Sequence, residues 1–294
     1  MIRFAIFLAC LSFSISIALA QPKPLESLKN CTLVPTDWAD GDSFRIRTED
    51  DTEYTIRLYA ADCLETGELD ETDKRRLRDQ RRHFGITDVK GNAEDPVNLA
   101  ISLGDQAKAF TQERLKRPFT IHTRFHKALG DGKHERFYAF VETSEAQDLA
   151  TELVKAGLAQ SRGRSTETFS GLSGERYRQS LEDYEDQAAK REAGIWKFTD
   201  WEKLPFERDV QRKEDEEDQA ASGRNLPEDF RLNPNTAARD DLDRLPGIGE
   251  TLADAIIEAR EDEPFQNAGE LMRVPGIKRK TLDKFRQYLE FSMP

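Results

Sequence analysis

The sequence has little of the apolar surface that a membrane-embedded protein needs, and it has no excess of positive charge. Its mean hydropathy is −0.73 and 34% of its 294 residues are charged, which leaves no room for a body buried in lipid. Asp and Glu outnumber Lys and Arg by 56 to 44. A DNA-coating protein is normally basic, because Lys and Arg displace counterions from phosphates. The composition is compatible instead with an enzyme that gathers positive charge locally and recruits a divalent cation.

The one long apolar run lies at the N-terminus. Arg3 precedes a run of apolar or small residues from 4 to 20, and Ala18 and Ala20 occupy the positions that a signal peptidase reads before Gln21. This pattern predicts a signal peptide over residues 1–20 and a secreted or periplasmic protein without membrane attachment. The alternative is an uncleaved membrane anchor, for which the run is short.

Cysteine is scarce, and after cleavage of the signal only Cys31 and Cys63 remain. In an exported protein two cysteines favour one disulfide, and the alternative is a pair of buried thiols. No His or Cys lies at ligand spacing around them, which argues against a metal site built on this pair.

Alternation of apolar and polar residues predicts a small antiparallel β-barrel with helices packed against it, an α+β fold. The first strands form a meander around the polar turn 48–52. The Gly130-Asp131-Gly132 turn joins two later strands, and Gly157 and Gly194 close helices. The predicted strands are 43–47, 53–59, 119–125 and 136–141, and the predicted helices are 106–115, 149–156 and 177–193.

Three further segments complete the organisation. Residues 66–100 are polar and predict a surface insertion, within which residues 74–82 are basic and helical. A charged linker, which could extend a helix, is predicted at 205–228 between a first domain at 29–204 and a small helical domain at 229–294.

Five charged residues stand at predicted strand ends or turns, where phosphodiester cleavage would need them. Carboxylates hold a hard cation and can orient or deprotonate water. Arginines clamp a phosphate and stabilise the charge that builds on it. Any one of them alone is normally a solvated surface residue, and only the joint pattern favours a function. The five are Asp42, Arg57, Asp62, Glu65 and Arg136.

The order of these motifs resembles the thermonuclease (staphylococcal nuclease) family. The matching segments are 40–46 (DGDSFRI), 56–58 (IRL), 61–66 (ADCLET), 133–139 (KHERFYA), 153–159 (LVKAGLA) and 194–196 (GIW). The resemblance implies a five-stranded OB-fold barrel that cleaves DNA and RNA with calcium. By motif match it assigns Asp42, Asp62 and the Cys63 carbonyl to calcium, Glu65 to the attacking water, and Arg57 and Arg136 to the scissile phosphate.

Two departures from the family pattern bear on this assignment. Cys63-Leu64 replaces the usual Thr-Pro, and residues 161–164 (SRGR) stand where the family has tyrosines that stack on the nucleotide base. Loss of stacking would weaken binding by about 1–3 kcal/mol per base. The basic stretch of the insertion is either a replacement for that contact or a solvated helix.

The C-terminal residues contain two similar units, 242–253 and 271–282, each predicting helix, Pro-Gly turn, helix. Such turns cluster N–H groups at a helix N-terminus, where an anion is favoured. The segment resembles the tandem helix-hairpin-helix module of competence-type DNA-binding proteins; the alternative is a hairpin pair used for protein contacts. The predicted phosphate contacts are the backbone amides of Gly247, Ile248 and Gly249, then Gly276, and the side chains of Lys278, Arg279 and Lys280, with Lys284 and Arg286 nearby.

The sequence therefore predicts an exported, calcium-dependent endonuclease whose C-terminal module holds DNA without reading its sequence. RNA is an open second substrate, and the oligomeric state is not indicated. The alternative function is a non-catalytic DNA receptor outside the cell. A weaker third interpretation is a protein-interaction module built on a nuclease fold.

Overall fold

The computed structural model describes residues 24–67, 71–86, 95–128, 135–222, 226 and 229–291. The predicted signal peptide and the turn at 130–132 lie outside these residues. Among the helices described, none combines the length and the apolar character needed to cross a membrane.

A five-stranded sheet closes into a barrel and forms the centre of the first domain. Around the barrel the strand order is β1-β2-β3-β6-β5, and β1 and β5 pair to close it. A separate pair of short strands, β4 and β7, joins residues 61–63 to 159–161. The strands are β1 Glu26–Val34, β2 Ser43–Arg47, β3 Glu53–Leu58, β4 Ala61–Cys63, β5 Phe119–Ala128, β6 Arg136–Glu142 and β7 Ala159–Ser161.

One pairing in the barrel differs from the all-antiparallel expectation. Strands β1, β2 and β3 form the predicted antiparallel meander, but β3 and β6 run parallel, with Arg57 opposite Tyr138 and Thr55 opposite Arg136. The direction of β6 could not be inferred from a tight turn, because more than seventy residues separate it from β3. The parallel pairing brings the start of β6 beside the polar face of β3.

Alternation along the strands places the apolar side chains inside the barrel and the polar ones outside. Phe44, Ile46, Ile56 and Leu58 are at most 1% exposed. Helices α3 (Leu149–Lys155) and α4 (Gly174–Lys190) cover a further face with Leu153 and Leu181, and both are fully buried.

The predicted insertion is mostly helical where it is described. Helix α1 spans Glu71–Phe84 and confirms the expected helix in the basic stretch. Helix α2 spans Pro96–Arg114, so it begins well before the predicted start at Gln106. Asp95 caps it and Pro96 occupies its first turn, a start signal that the sequence carried. Both helices bury leucines in a second core that includes Phe84 and Trp196.

Most of the predicted linker belongs to a long helix, α5 (Leu204–Ser222). It packs on α1, where Arg82 bonds Glu214 at 2.6 Å and lies 3.8 Å from Glu207. Part of the basic stretch is therefore committed to contacts within the protein.

The C-terminal residues form a separate core around Leu242, Ile256, Phe265 and Phe285. Its helices are α6 Arg239–Asp243, α7 Glu250–Asp262 and α8 Arg279–Phe285. The end of α7 meets the barrel domain, where Asp262 accepts a hydrogen bond from Arg164 at 2.8 Å and lies 3.1 Å from His126 Nε2.

Gly157 makes a close approach that only glycine permits. Its φ is +70°, and a Cβ there would lie 2.2 Å from the carbonyl oxygen of Ala193. We expect Gly157→Ala to lower the free energy of unfolding by about 2–5 kcal/mol, from backbone strain and overpacking together. Urea denaturation followed by circular dichroism measures the change.

Gly171→Ala is the matched control for this prediction. Gly171 also has a positive φ, +80°, but a Cβ there would meet nothing within 4 Å. Its replacement should cost only the strain of the left-handed backbone, about 1–2 kcal/mol. Equal losses in the two variants would show that the contact with Ala193 is unimportant.

Candidate functional site

The guanidinium of Arg57 lies between two buried carboxylates at one edge of the barrel. Its Nη1 is 2.9 Å from Asp42 Oδ1, and its Nη2 is 2.5 Å from Asp62 Oδ1. Burial lowers the pKa of Arg57, but the two carboxylates outweigh burial and hold the pKa well above its usual value. For Asp62 burial acts in the opposite direction and raises the pKa. The attraction of Arg57, Arg162 and Arg76 outweighs burial and holds the pKa of Asp62 below its usual value.

The turn before β2 fixes Asp42 in this arrangement. Asp40 Oδ1 accepts hydrogen bonds from the N–H groups of Asp42 and Ser43, at 2.9 and 2.5 Å, and these bonds hold the turn. Asp42 Oδ2 accepts a hydrogen bond from the backbone N–H of Cys63 at 2.5 Å. The turn is therefore tied directly to β4, which carries Asp62.

Glu65 follows β4 in a loop that is partly shielded from water. Arg76 Nη1 on α1 donates to its Oε1 at 3.0 Å. Burial is the largest influence on Glu65 and raises its pKa, although Arg76 and Arg57 oppose the rise. A raised pKa makes a carboxylate a better proton acceptor at neutral pH, which suits a general base.

Arg136 starts β6 and reaches the same pocket. Arg136 Nη1 and Arg57 Nη1 both donate to Ser43 Oγ, at 3.4 and 3.2 Å. Burial, followed by repulsion from Arg57 and Arg76, lowers the pKa of Arg136. Arginine side chains grouped in this way can bind the oxygens of a phosphate.

The structure thus brings all five charged residues predicted from the sequence to one place. Five others join them: Asp40, Ser43, Arg76, Gln80 and Gln160. The Asp-Gly-Asp turn pointed to Asp40. Arg76 and Gln80 lie four residues apart on one face of α1, but no spacing relates them to the barrel motifs.

The residues assigned to calcium supply oxygen donors of the kind that this hard cation takes. The Oδ1 atoms of Asp42 and Asp62 converge on one positive group, Arg57. The Cys63 carbonyl accepts from Gln80 Nε2 at 2.7 Å, which leaves its second lone pair for a cation. Among the described residues, no cluster of three or more acidic, His or Cys side chains has the geometry of a metal site. The donors fit calcium in kind, and the assignment stays a prediction.

The segment after Gly157 offers no aromatic platform, as its sequence indicated. Arg164 is 7% exposed and bonds Asp262 of the C-terminal module. The basic stretch does not replace a platform through Arg76 or Arg82, because these side chains bond Glu65 and Glu214.

The two cysteines are buried free thiols, so the favoured disulfide is not present. Cys31 lies in β1, and its Sγ contacts the carbonyl oxygen of Leu28 at 3.3 Å. Cys63 Sγ packs beneath the turn of Asp42, 2.7 Å from the point that a Cβ on Gly41 would occupy. The two side chains thus serve different parts of the barrel.

The two C-terminal hairpins pack against each other in a reciprocal way. Gly247 and Gly276 have positive φ values of +82° and +92°. A Cβ on Gly247 would lie 3.1 Å from Lys284 Cδ on α8, and one on Gly276 would lie 2.8 Å from Leu252 on α7. Lys284 of the second hairpin therefore lies beside the Gly247 turn of the first hairpin.

The predicted DNA contacts divide into two groups. Lys278, Arg279 and Lys280 are exposed at the start of α8, and Gly276 is exposed beside them. Ile248 differs from expectation: its side chain is fully buried, and its N–H donates to the carbonyl of Leu245. The expected use of Ile248 as a phosphate contact is therefore not supported, because both its side chain and its N–H are engaged.

Comparison with known proteins matches both modules in the predicted order. Residues 55–198 match the family described as staphylococcal nuclease homologue, and residues 230–290 match the helix-hairpin-helix motif. An uncharacterized protein of Haemophilus influenzae is 41% identical over 63 residues, which are 21% of this chain and 56% of that protein. The match thus spans about half of that relative. The two family matches confirm the resemblance and the fold class, and they support nuclease-type activity and DNA binding.

The burial of both thiols leads to a test of their oxidation state. Burial raises the pKa of Cys31 to about 11 and that of Cys63 well above its usual value. Because the thiolate is the reactive form, we expect neither thiol to react with a disulfide reagent in the native mature protein. Both should react in denaturant without added reductant. No reaction in denaturant would reveal a disulfide.

Proposed function

We propose that this chain, whose residues 55–198 match the staphylococcal nuclease homologues, is an exported nuclease that hydrolyses phosphodiester bonds in DNA. The observation that carries the proposal is the shared pocket of Arg57 and Arg136, which both donate to Ser43 Oγ beside two carboxylates. Two half-buried guanidinium groups can bind the oxygens of one phosphate. Glu65 provides a nearby carboxylate with a raised pKa.

The proposed reaction is hydrolysis by in-line attack of water at phosphorus. Glu65 accepts a proton from the water as its oxygen forms a bond to phosphorus. The opposite P–O ester bond breaks, and the leaving oxygen takes a proton from solvent. Arg57 and Arg136 stabilise the negative charge that grows on the phosphate oxygens, as donors aimed at a transition state do.

Calcium is the proposed cofactor, and Asp42 and Asp62, with the Cys63 carbonyl, would hold it. When bound it would supply positive charge beside the phosphate. In the structure, Arg57 supplies the positive charge that balances these two carboxylates. Export rests on the N-terminal sequence alone.

The C-terminal module is proposed to hold DNA near the pocket, which raises the local substrate concentration. The alternative function, a DNA receptor without catalysis, shares this module. It differs in the barrel, because a receptor has no need of a carboxylate placed to accept a proton.

Replacement of Glu65 tests catalysis. We expect Glu65→Gln and Arg136→Ala to lower kcat on plasmid DNA with calcium by about 10²–10⁴-fold, since each removes a group that acts in the transition state. Glu135→Gln is the control, because Glu135 is exposed and pairs with Lys127 outside the pocket. It should cleave as wild type does.

Three comparisons in that experiment distinguish the possible functions. Cleavage by wild type that disappears with EDTA supports calcium as the cofactor, whereas cleavage that persists rejects it. DNA binding without cleavage by any form would favour the receptor. Equal cleavage by wild type and Glu65→Gln would remove Glu65 from the mechanism.

Replacement of hairpin cations tests the tether. We expect Lys278→Ala combined with Lys280→Ala to weaken duplex binding. The slope of log affinity against log salt should become shallower by about 1 for each phosphate that the protein no longer neutralises. Lys116→Ala with Arg117→Ala removes two exposed cations just after α2 and serves as the control. Equal slopes in both double variants would count against the hairpin as a phosphate-binding surface.

A further inference from the structure

Gln80 on α1 contacts three positions of the loop that carries the acidic residues of the pocket. Its Oε1 accepts from the N–H of Glu65 at 3.0 Å. Its Nε2 donates to Asp62 Oδ2 at 3.1 Å and to the Cys63 carbonyl at 2.7 Å. An N–H can only donate, so the bond from Glu65 fixes which end of the amide faces which partner. The side chain is 1% exposed.

These bonds set the orientation of Asp62. Its Oδ2 accepts from both Gln80 and Gln160, the latter at 2.6 Å, so this oxygen has two donors. The other oxygen, Oδ1, is thereby turned toward Arg57. Carboxylates that hold a ligand are commonly fixed in this way by hydrogen bonds to their far oxygen.

The loop is held from two more directions. Leu64 is fully buried in the core that includes Leu77 of α1. On the other side, α2 approaches so closely that a Cβ on Gly104 would lie 2.6 Å from the Leu64 carbonyl oxygen and 2.7 Å from that of Glu65. Leucine does not restrict φ as proline does, so the loop depends on these contacts for its shape.

We propose that Gln80 is a positioning residue of the nuclease pocket, acting through Asp62 and Glu65. This inference rests on the proposed function. The predicted insertion then contributes directly to the pocket. Its helix α1 supplies Gln80 and also Arg76, which bonds the Glu65 carboxylate. The side-chain amide of Gln80 thus sets the distance between Asp62, which faces Arg57, and Glu65, which activates water in the proposed reaction.

Gln80→Met tests the proposal, since methionine has similar length and removes all three hydrogen bonds. We expect kcat to fall by about 10²-fold, the cost of a misplacement near 1 Å. KM should stay within about threefold, because Arg57 and Arg136 keep their positions. Gln160→Met removes one bond to Asp62 without touching Glu65 and should lose less. Gln187→Met, on the exposed face of α4, should match wild type.

A double variant separates positioning from a purely structural role. If Gln80 acts through Glu65, Gln80→Met added to Glu65→Gln should change kcat by less than about threefold, because groups that act as a unit are not additive. Losses that multiply would overturn the action of Gln80 through Glu65, and wild-type kcat in the single variant would overturn the whole proposal.

Hydrogen–deuterium exchange gives a readout that does not depend on activity. The amide of Glu65 should be protected in wild type and in Gln160→Met, and should exchange faster in Gln80→Met. Unchanged exchange in Gln80→Met would overturn the inference even if the protein is a nuclease. Absence of cleavage by wild type, with the expected exchange, would overturn the proposed function alone. If Gln80→Met fails to fold, Gln80→Glu repeats the kcat measurement, because it keeps the bond from Glu65 but loses the two bonds that Nε2 donates.

Discussion

The ion pairs of Arg57 with Asp42 and Asp62 are the constraint around which the pocket is organised. Removing charges from water costs several kcal/mol for each ion, and the attraction between them compensates only when the remaining hydrogen-bonding groups are satisfied. The Cys63 amide and the Gln80 and Gln160 side chains meet this requirement for the two carboxylates. The neighbours of the carboxylates are thus as necessary to the pocket as the charged residues.

The pocket holds Arg57, Arg76 and Arg136 beside four carboxylates, and other acids of the chain are engaged elsewhere. Helix α5 uses Glu207 and Glu214 on Arg82, and α7 uses Asp262 on Arg164. The net charge of −12 is therefore a poor guide to the field inside the pocket, where burial and repulsion from Arg57 and Arg76 lower the pKa of Arg136. Local arrangement decides whether a phosphate is attracted.

The sequence predicted the elements that short-range patterns determine. Strand β2 has the expected bounds, and β3, β6 and α3 differ from theirs by one residue at one end. The five charged residues could be found because their motifs stand in a recognisable order.

Features that depend on contacts distant in the chain could not be predicted. The parallel pairing of β3 with β6 and the contact of Gln80 with the loop of Glu65 are set by packing of the whole domain. The disulfide favoured for Cys31 and Cys63 was wrong, because the number of cysteines in a sequence does not give the distance between them in the fold. The amide of Ile248 was expected to contact phosphate, but a motif position does not reveal that this N–H donates within its own turn.

The parallel pairing of β3 and β6 also bears on when the pocket can exist. The residues that form it are drawn from positions 40 to 160, and the last of them, Gln160, lies in the strand that pairs with β4. Contacts of such long sequence separation form late, since loop closure must be achieved before they stabilise the chain. A nascent or unfolded chain keeps its carboxylates and arginines apart. The chemistry proposed for the pocket would then be possible only when folding is complete.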